Sequence, residues 1–179
     1  MGKKYLVVTD IHGSSQSAEI VIEKLKQTNC DKIVILGDIL YHGPRNDLPK
    51  YYEPKQVINI LNNYVDKIIA IKGNCDAEVD EMVLAFPLKN CASIEVGDRS
   101  YIFEHGHHLE IKDTNEKYAG SVVVYGHTHV NKLTKTQDAT YVNLASITIP
   151  KDNCPRSYAI IDDSGLTVYD IEDNIIAKI

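Results

Sequence analysis

The feature that most constrains this chain is a recurring pattern: an unbroken apolar run that stops at a polar, chemistry-bearing residue. Lys32-Ile-Val-Ile-Leu-Gly37-Asp38 is the central case. A strand that is apolar at every position, rather than at alternate ones, is buried on both faces, and its sheet is covered on both sides. In open sheets of that kind ligands bind beyond the carboxyl ends of the strands, so Asp38 is expected on the rim of a site. Tyr5-Leu-Val-Val-Thr-Asp10-Ile-His12 and Lys67-Ile-Ile-Ala-Ile-Lys-Gly73-Asn74 end in the same way. A fourth run, Ser121-Val-Val-Val-Tyr-Gly126, delivers His127 and His129, and Tyr101-Ile-Phe-Glu-His105 delivers a further imidazole.

Between these runs the first part of the chain alternates strand with helix. Ser14 or Ser15 can cap a helix whose Ala18, Val21, Ile22 and Leu25 recur at helical spacing. Pro54 opens a second helix carrying Val57, Ile60, Leu61 and Tyr64. Two consecutive βαβ units follow, right-handed by the general rule. Tyr41 to Pro49 is too rich in Gly, Pro and Asn to be regular, and long loops at the carboxyl end of a strand usually shape a substrate pocket. Asp76 can cap a third helix with Val79, Met82, Val83 and Phe86 as a core-facing stripe, ended by Pro87. From Ala92 the pattern turns to short strands: 92–96, 100–104, 121–126, a hairpin from 132–136 and 140–145, and a closing meander over 157–162, 166–169 and 174–178. Residues 109–119 have too weak a period for a helix. The expected fold is α/β, with an α+β C-terminal half: a four-layer αββα sandwich of two mixed β-sheets flanked by helices, as one domain over residues 1–179.

Composition excludes some partners. With 19 Lys+Arg against 25 Asp+Glu and no basic run longer than two residues, the chain has no electrostatic track for polymeric nucleic acid. No apolar stretch reaches the ~20 residues that span a bilayer, and no signal-peptide pattern precedes the first strand, so a cytoplasmic protein is expected, with a homo-oligomer compatible. Met1-Gly2 opens a myristoylation pattern that Leu6 breaks. Cys30, Cys75, Cys91 and Cys154 are scattered, without a C-x-x-C pair, and are expected as reduced thiols. Cys30, Cys91 and Cys154 read as small, partly buried hydrophobes, and Cys75 lies in the rim.

Carboxylates, an amide oxygen and imidazoles together suit divalent ions such as Mn²⁺, Fe²⁺ or Zn²⁺ at a catalytic centre, whereas four thiolates would suit a closed structural zinc. In Asp10-Ile-His12 and His127-Thr-His129 a strand-end turn lets residues i and i+2 converge on one ion. Asp10, His12, Asp38, Asn74, His105, His127 and His129 are too many for one ion, so two ions bridged by Asp38 are expected.

Asp10-Ile-His12, Gly37-Asp38, Gly73-Asn74, His105-Gly-His107 and Gly126-His-Thr-His129, taken in order, resemble the motif set of the calcineurin-like metallophosphoesterases over nearly the whole chain. Gly73-Asn-Cys-Asp76 and His42-Gly-Pro-Arg-Asn46 are most similar to the YfcE-like bacterial phosphodiesterase branch. The resemblance implies a dinuclear centre, often of manganese, with Fe²⁺, Zn²⁺, Ni²⁺ or Mg²⁺ as further candidates. By matching position, Asp10, His12, Asp38 and His129 would hold the first ion, and Asp38, Asn74, His105 and His127 the second. Asp38, Asn74, His107 and Cys75 would take part in catalysis, while His42, Arg45 and Asn46 could contact substrate, and His108 is expected at the surface. The implied activity is hydrolysis of small phosphodiesters by hydroxide held between the ions. Cys75 stands where monoesterase and protein-phosphatase relatives carry a His, which sets phosphomonoesterase activity second. A metal-free scaffold of the same fold comes third, since such a scaffold would be expected to lose ligands.

Overall fold

The alternation of side chains along each strand decides how the layers stack. The computed structural model describes residues 2–179, and Met1, with the start of the expected domain, lies outside them. Strand β1 (Tyr5–Val8) sends Leu6 and Val8 into one core and Tyr5 and Val7 into another. Strands β2 (Lys32–Ile35) and β3 (Ile68–Ile71) divide likewise, Ile33, Ile35 and Ala70 to the first core and Val34 and Ile71 to the second. Two-faced burial is the physical reason for the unbroken apolar runs. Helices α1 (Ser15–Gln27) and α2 (Pro54–Asn62) pack on the first face and supply Val21, Leu25, Val57 and Leu61. Ser14 caps α1, its side chain accepting from the Ser17 N–H, an interaction of about 1 kcal/mol.

Strands β1, β2 and β3 are parallel neighbours, so α1 and α2 are the crossovers of two βαβ units. The two-residue strand β4 (Leu88–Lys89) extends that sheet in parallel beyond β3. On the other edge β10 (Ser157–Asp162) lies antiparallel to β1, with Val7 opposite Ala159, and β11 (Gly165–Asp170) and β12 (Ile175–Lys178) complete seven strands in the order β12-β11-β10-β1-β2-β3-β4.

The second sheet contains β5 (Ala92–Val96), β6 (Arg99–Phe103), β7 (Ser121–Tyr125), β8 (Lys132–Lys135) and β9 (Thr140–Asn143), in the order β5-β6-β7-β9-β8. β6, β7 and β9 run parallel, and β8–β9 is the expected hairpin. Val122 and Val124 of β7 face the first sheet, a burial of roughly 1.5–3 kcal/mol each. Val123 and Tyr125 point outward into a third, small core with Tyr118 and Tyr141. Its cover is a single 3-10 turn, Glu116–Tyr118, pinned by Lys117 and the Tyr118 hydroxyl, both donating to Glu104. Among the described residues, the outermost layer over the second sheet is therefore this turn and its flanking loop, with no α-helix.

Two expectations are corrected. Helix α3 spans only Glu78–Val83 and starts from Ala77, not Asp76, and its stripe is not core: Val79, Met82 and Val83 are 60%, 83% and 42% exposed. Leu84 is already extended, so the chain leaves helical geometry before the stripe can turn inward, and Leu84 and Phe86 fill the core beyond the helix. Cys91 is exposed, since it lies in the turn between β4 and β5, while Cys30 is buried and all four cysteines are free. Among the described residues no helix is long and apolar enough to cross a membrane.

Candidate metal centre

Three of the strands that point at the rim, β1, β2 and β7, end in a sharp break of backbone direction. Asp10 and His12 follow β1, Asp38 follows β2, and His127 and His129 follow β7, and all five are left-handed, with φ of 56, 49, 54, 68 and 63°. That region costs an L-residue roughly 1–2 kcal/mol. Strain of this kind persists where surrounding contacts over-determine it. Here the Asp10 N–H donates to the Gly37 carbonyl (3.1 Å) and the His12 N–H to the Asp38 carbonyl (2.9 Å), tying the ends of β1 and β2 together. The Asp76 carboxylate accepts from the N–H groups of Asp38 (2.8 Å), Ile39 (2.8 Å) and Gly73 (2.7 Å), tying β2 to β3. Two glycines make room: a Cβ at Gly73 would lie 2.1 Å from Asp38 Oδ1, and one at Gly126 1.9 Å from Thr9 Oγ1.

The side chains then converge. Asp10 Oδ1 lies 3.4 Å from both His12 Nε2 and His129 Nε2, and those two nitrogens are 3.2 Å apart. Asp38 Oδ2 is 3.8 Å from His12 Nε2 and 3.5 Å from His105 Nε2, and Asn74 Oδ1 is 2.9 Å from the same His105 nitrogen. Behind each imidazole stands a backbone carbonyl: Tyr41 for His12 (2.8 Å), Leu36 for His105 (2.7 Å) and Ile149 for His129 (2.8 Å). A carbonyl can only accept, so Nδ1 carries the proton in all three rings and, when the rings are neutral, Nε2 offers its lone pair to the cluster. Asp10 Oδ2 is satisfied by the Thr9 hydroxyl (2.6 Å) and the His127 N–H (3.0 Å), whereas Oδ1 is buried and receives no hydrogen bond.

Carboxylate oxygens and imidazole lone pairs aimed at one another repel unless positive charge lies among them. The titration tendencies express the same demand. Burial opposes ionisation of Asp10, yet the neighbouring His12 and His129 rings, both 3.4 Å from its Oδ1, hold its carboxyl far below the usual range. Burial would lower His105, but Asp38 outweighs it and lifts the ring to about 9. A proton on Nε2 or a cation can occupy the same place. Asp10, His12 and His129 form one group with converging ligand atoms, and Asp10, Asp38 and His105 a second, so the donor set fits divalent ions.

The remaining expected residues are distributed around this cluster. His127 is half-buried, its ring 5.1 Å from that of His105. His107 sits 5.3 Å from the His105 ring, its Nδ1 buried without a partner, and His108 is exposed beyond it. The Cys75 N–H donates to Asp38 Oδ1 (2.8 Å), and its sulfur joins His12 and Asp38 in a third convergent group. Burial, and then the Asp38 carboxylate, push this thiol up to about 12, so it is a neutral S–H. The loop residues do not join the ligand cluster. His42 packs edge-on between Tyr41 and Tyr52, Asn46 donates to the His42 carbonyl (2.7 Å), and Arg45 lines a separate cavity. A cavity of about 650 Å³, bounded by Lys72, Asn74, Asn90, His105 and His107, opens beside the cluster. Sequence reasoning missed Asp76 as the clamp between strand ends, and Ser146, whose hydroxyl donates to the Asp10 carbonyl (2.7 Å).

Comparison with known proteins agrees with this geometry. Residues 4–165 match the family model of the calcineurin-like phosphoesterase superfamily domain. The chain is 38% identical over 178 residues to phosphodiesterase YfcE of Escherichia coli K12, covering 98% of this chain and 97% of that protein. The solved structure of the E. coli phosphoesterase Yfce superposes with a TM-score of 0.89 at 37% identity over 98% of each chain. Vacuolar Protein Sorting 29 from Cryptosporidium parvum shares the fold at a TM-score of 0.66 and 16% identity, over 97% of this chain and 95% of that one. From its ordered motifs, its two-sheet architecture and these likenesses, the chain belongs to the calcineurin-like phosphoesterase superfamily.

Proposed function

We propose that the protein is a metal-dependent phosphodiesterase acting on small phosphodiesters. The observation that carries this reading is Asp10 Oδ1: a buried, unpartnered carboxylate oxygen facing two imidazole nitrogens whose other sides are fixed by carbonyls. In the proposed assignment Asp10, His12, Asp38 and His129 hold one divalent ion, and Asp38, Asn74, His105 and His127 a second, with Mn²⁺ favoured by the mixed oxygen and nitrogen donors. Ions held there supply Lewis-acid polarisation of a phosphoryl oxygen and an acidified water. The protein's own contribution is placement: carbonyl-backed imidazoles cannot rotate away, and the tie through Asp76 fixes Asp38 between the two groups. His107, 5.3 Å from the His105 ring and in the wall of the adjoining cavity, is assigned in this proposal to contact a phosphoryl oxygen.

The size of the adjoining cavity, about 650 Å³, supports a small molecule rather than a polymer. E. coli YfcE is named a phosphodiesterase, and its similarity across nearly the full chain supports the same reaction class here. Four free cysteines fit the reducing cytoplasm included in this proposal.

Diester preference rests on Cys75. A well-placed proton donor at the leaving oxygen contributes roughly 10²–10⁴-fold, and a thiol beside Asp38 supplies neither the proton of an imidazolium nor its positive charge. The first prediction is that the Mn²⁺-loaded protein hydrolyses bis(p-nitrophenyl) phosphate with a higher kcat/KM than p-nitrophenyl phosphate, and that Cys75→His shifts the ratio toward the monoester. A native protein that favours the monoester, or a Cys75→His variant with an unchanged ratio, would overturn the diester assignment.

A further inference from the structure

A second cavity, of about 450 Å³, lies between the N-terminal end of α1, the 45–50 loop and residues 148–151. It lies behind His129, with none of the proposed ligands in its wall. Ile149, in its wall, supplies the carbonyl that fixes His129 Nδ1, and the Lys151 N–H donates to the His129 carbonyl (2.9 Å). The cavity described beside Asn74 and His105 lies at the other group of ligands. A phosphodiester has two arms, and with one on the Asn74 and His105 side the other is directed to the His129 side.

The two cavities differ in charge. Arg45, Lys50, Lys151 and Arg156 line the second against a single carboxylate, Asp47, although the chain as a whole carries a net charge of −6. Among the described residues, none of these four cations has a carboxylate within ion-pair distance. Arg156 is partly buried and oriented, with Nε donating to the Ile147 carbonyl and Nη2 to Ser17 Oγ (2.9 Å). A guanidinium has five N–H groups, so three of them are without a protein acceptor. Burial pushes this guanidinium downward, the sign of a charge that gains from a counter-ion. The first turn of α1, which also meets this cavity, carries no acidic side chain to offset its positive end.

We propose that this cavity is a subsite for a second anionic group, above all a phosphate, carried on one arm of the diester. The proposal rests on the phosphodiesterase reading and names a substrate class within it: diesters whose alcohol bears a further phosphate. Recognition is electrostatic, and Arg156 adds direction through its free N–H groups.

The test uses two chromogenic substrates that differ by one phosphate, thymidine 5′-(p-nitrophenyl phosphate) and its 3′-phosphorylated counterpart, hydrolysed by the Mn²⁺-loaded full chain. The native protein is expected to show the higher kcat/KM on the 3′-phosphorylated substrate, mainly through KM. The double variant Lys50→Gln/Lys151→Gln removes two exposed charges away from the ligand cluster. It is expected to keep its rate on the singly charged substrate and to reduce the preference roughly three- to tenfold, a difference that fades at high salt. Arg156→Gln is expected to reduce the preference further, with its melting temperature followed alongside. Equal preference in native and double-variant proteins, with turnover of the singly charged substrate intact, would overturn the subsite while leaving the phosphodiesterase reading in place. Activation of singly charged turnover by added sulfate, seen in the native protein and lost in the double variant, would also overturn it, because the anion would then act from free solution.

Discussion

At position 73 one methyl group separates a closed centre from an open one. A Cβ there would sit 2.1 Å from Asp38 Oδ1 and 2.4 Å from the Asp38 nitrogen, closer than atoms can pack. Gly73→Ala must therefore displace the carboxylate proposed to join the two ligand groups. The expected result is loss of bound Mn²⁺ and a fall in bis(p-nitrophenyl) phosphate turnover of at least ~10²-fold, the scale on which ~1 Å misplacements act. Native-like metal content and turnover would sink the assignment of Asp38. Legibility at this scale divides sharply. Asp10, Asp38 and His129 stood out in the sequence because charged or ligating side chains at the end of apolar runs have few structural uses. The carbonyls of Tyr41, Leu36 and Ile149, which fix the three imidazoles, were invisible, because a backbone acceptor has no residue type to betray it. Asp76 was misread as a helix cap for a related reason: a carboxylate before a helix looks the same whether it serves its own helix or a neighbouring strand end.

Helix α1 is fastened at both ends, by Ser14 at its start and by Lys24 near its end, where the buried amine pairs with Asp173 in the turn before β12. The Tyr158 hydroxyl donates to the same Asp173 oxygen. Lys24 and then Tyr158 hold the Asp173 carboxyl below its ordinary range. A carboxyl lowered on folding stabilises above its unfolded pKa of ~3.9 and loses that contribution as pH falls through the folded value. Asp173→Asn is expected to destabilise the protein near neutral pH by about 1 kcal/mol, a value reduced from that of a buried pair because Asp173 is itself largely exposed. The difference from native should shrink below pH ~4, and urea unfolding at pH 7 and pH 3 measures it. A constant difference across that range would remove the ion pair from the account. Helices α1 and α2 were readable because their apolar spacing runs for two turns or more, whereas α3 was misjudged because six residues fit a stripe by chance as easily as by burial. β4 was missed for a similar reason, since two residues carry no period.

For the whole molecule, three extensive apolar cores form the interior of the layers and the proposed ligands lie past the strand ends, so the fold is expected to stand without ions. Chelation with EDTA is expected to abolish turnover and to leave the far-UV circular dichroism in place, with Mn²⁺ restoring activity. Bound metal should raise the melting temperature by mass action, about 2.7 kcal/mol at a hundredfold excess over Kd. Collapse of the dichroism on chelation would make the centre structural instead. The two-sheet plan, with helices over the first sheet, was legible because the βαβ units and later hairpins differ in period, whereas the helical layer expected over the second sheet is replaced by a 3-10 turn and loop. The thin cover over Tyr118 and Tyr141 was not legible, since a 3-10 turn leaves only three residues of signal. The pairing of β1 with β10 has a consequence in time. β1 lies in the middle of the large sheet, yet the neighbour on one of its edges is Ser157–Asp162, with Val7 set against Ala159. A chain emerging from the ribosome can join β1 to β2 early, but that flank of β1 stays open until nearly the last strands have been synthesised. Such non-local closure makes folding slow and leaves an apolar edge exposed to other chains in the interval. The ligand set runs from residue 10 to residue 129, so the last of the proposed ligands joins the others only after β7 has been made.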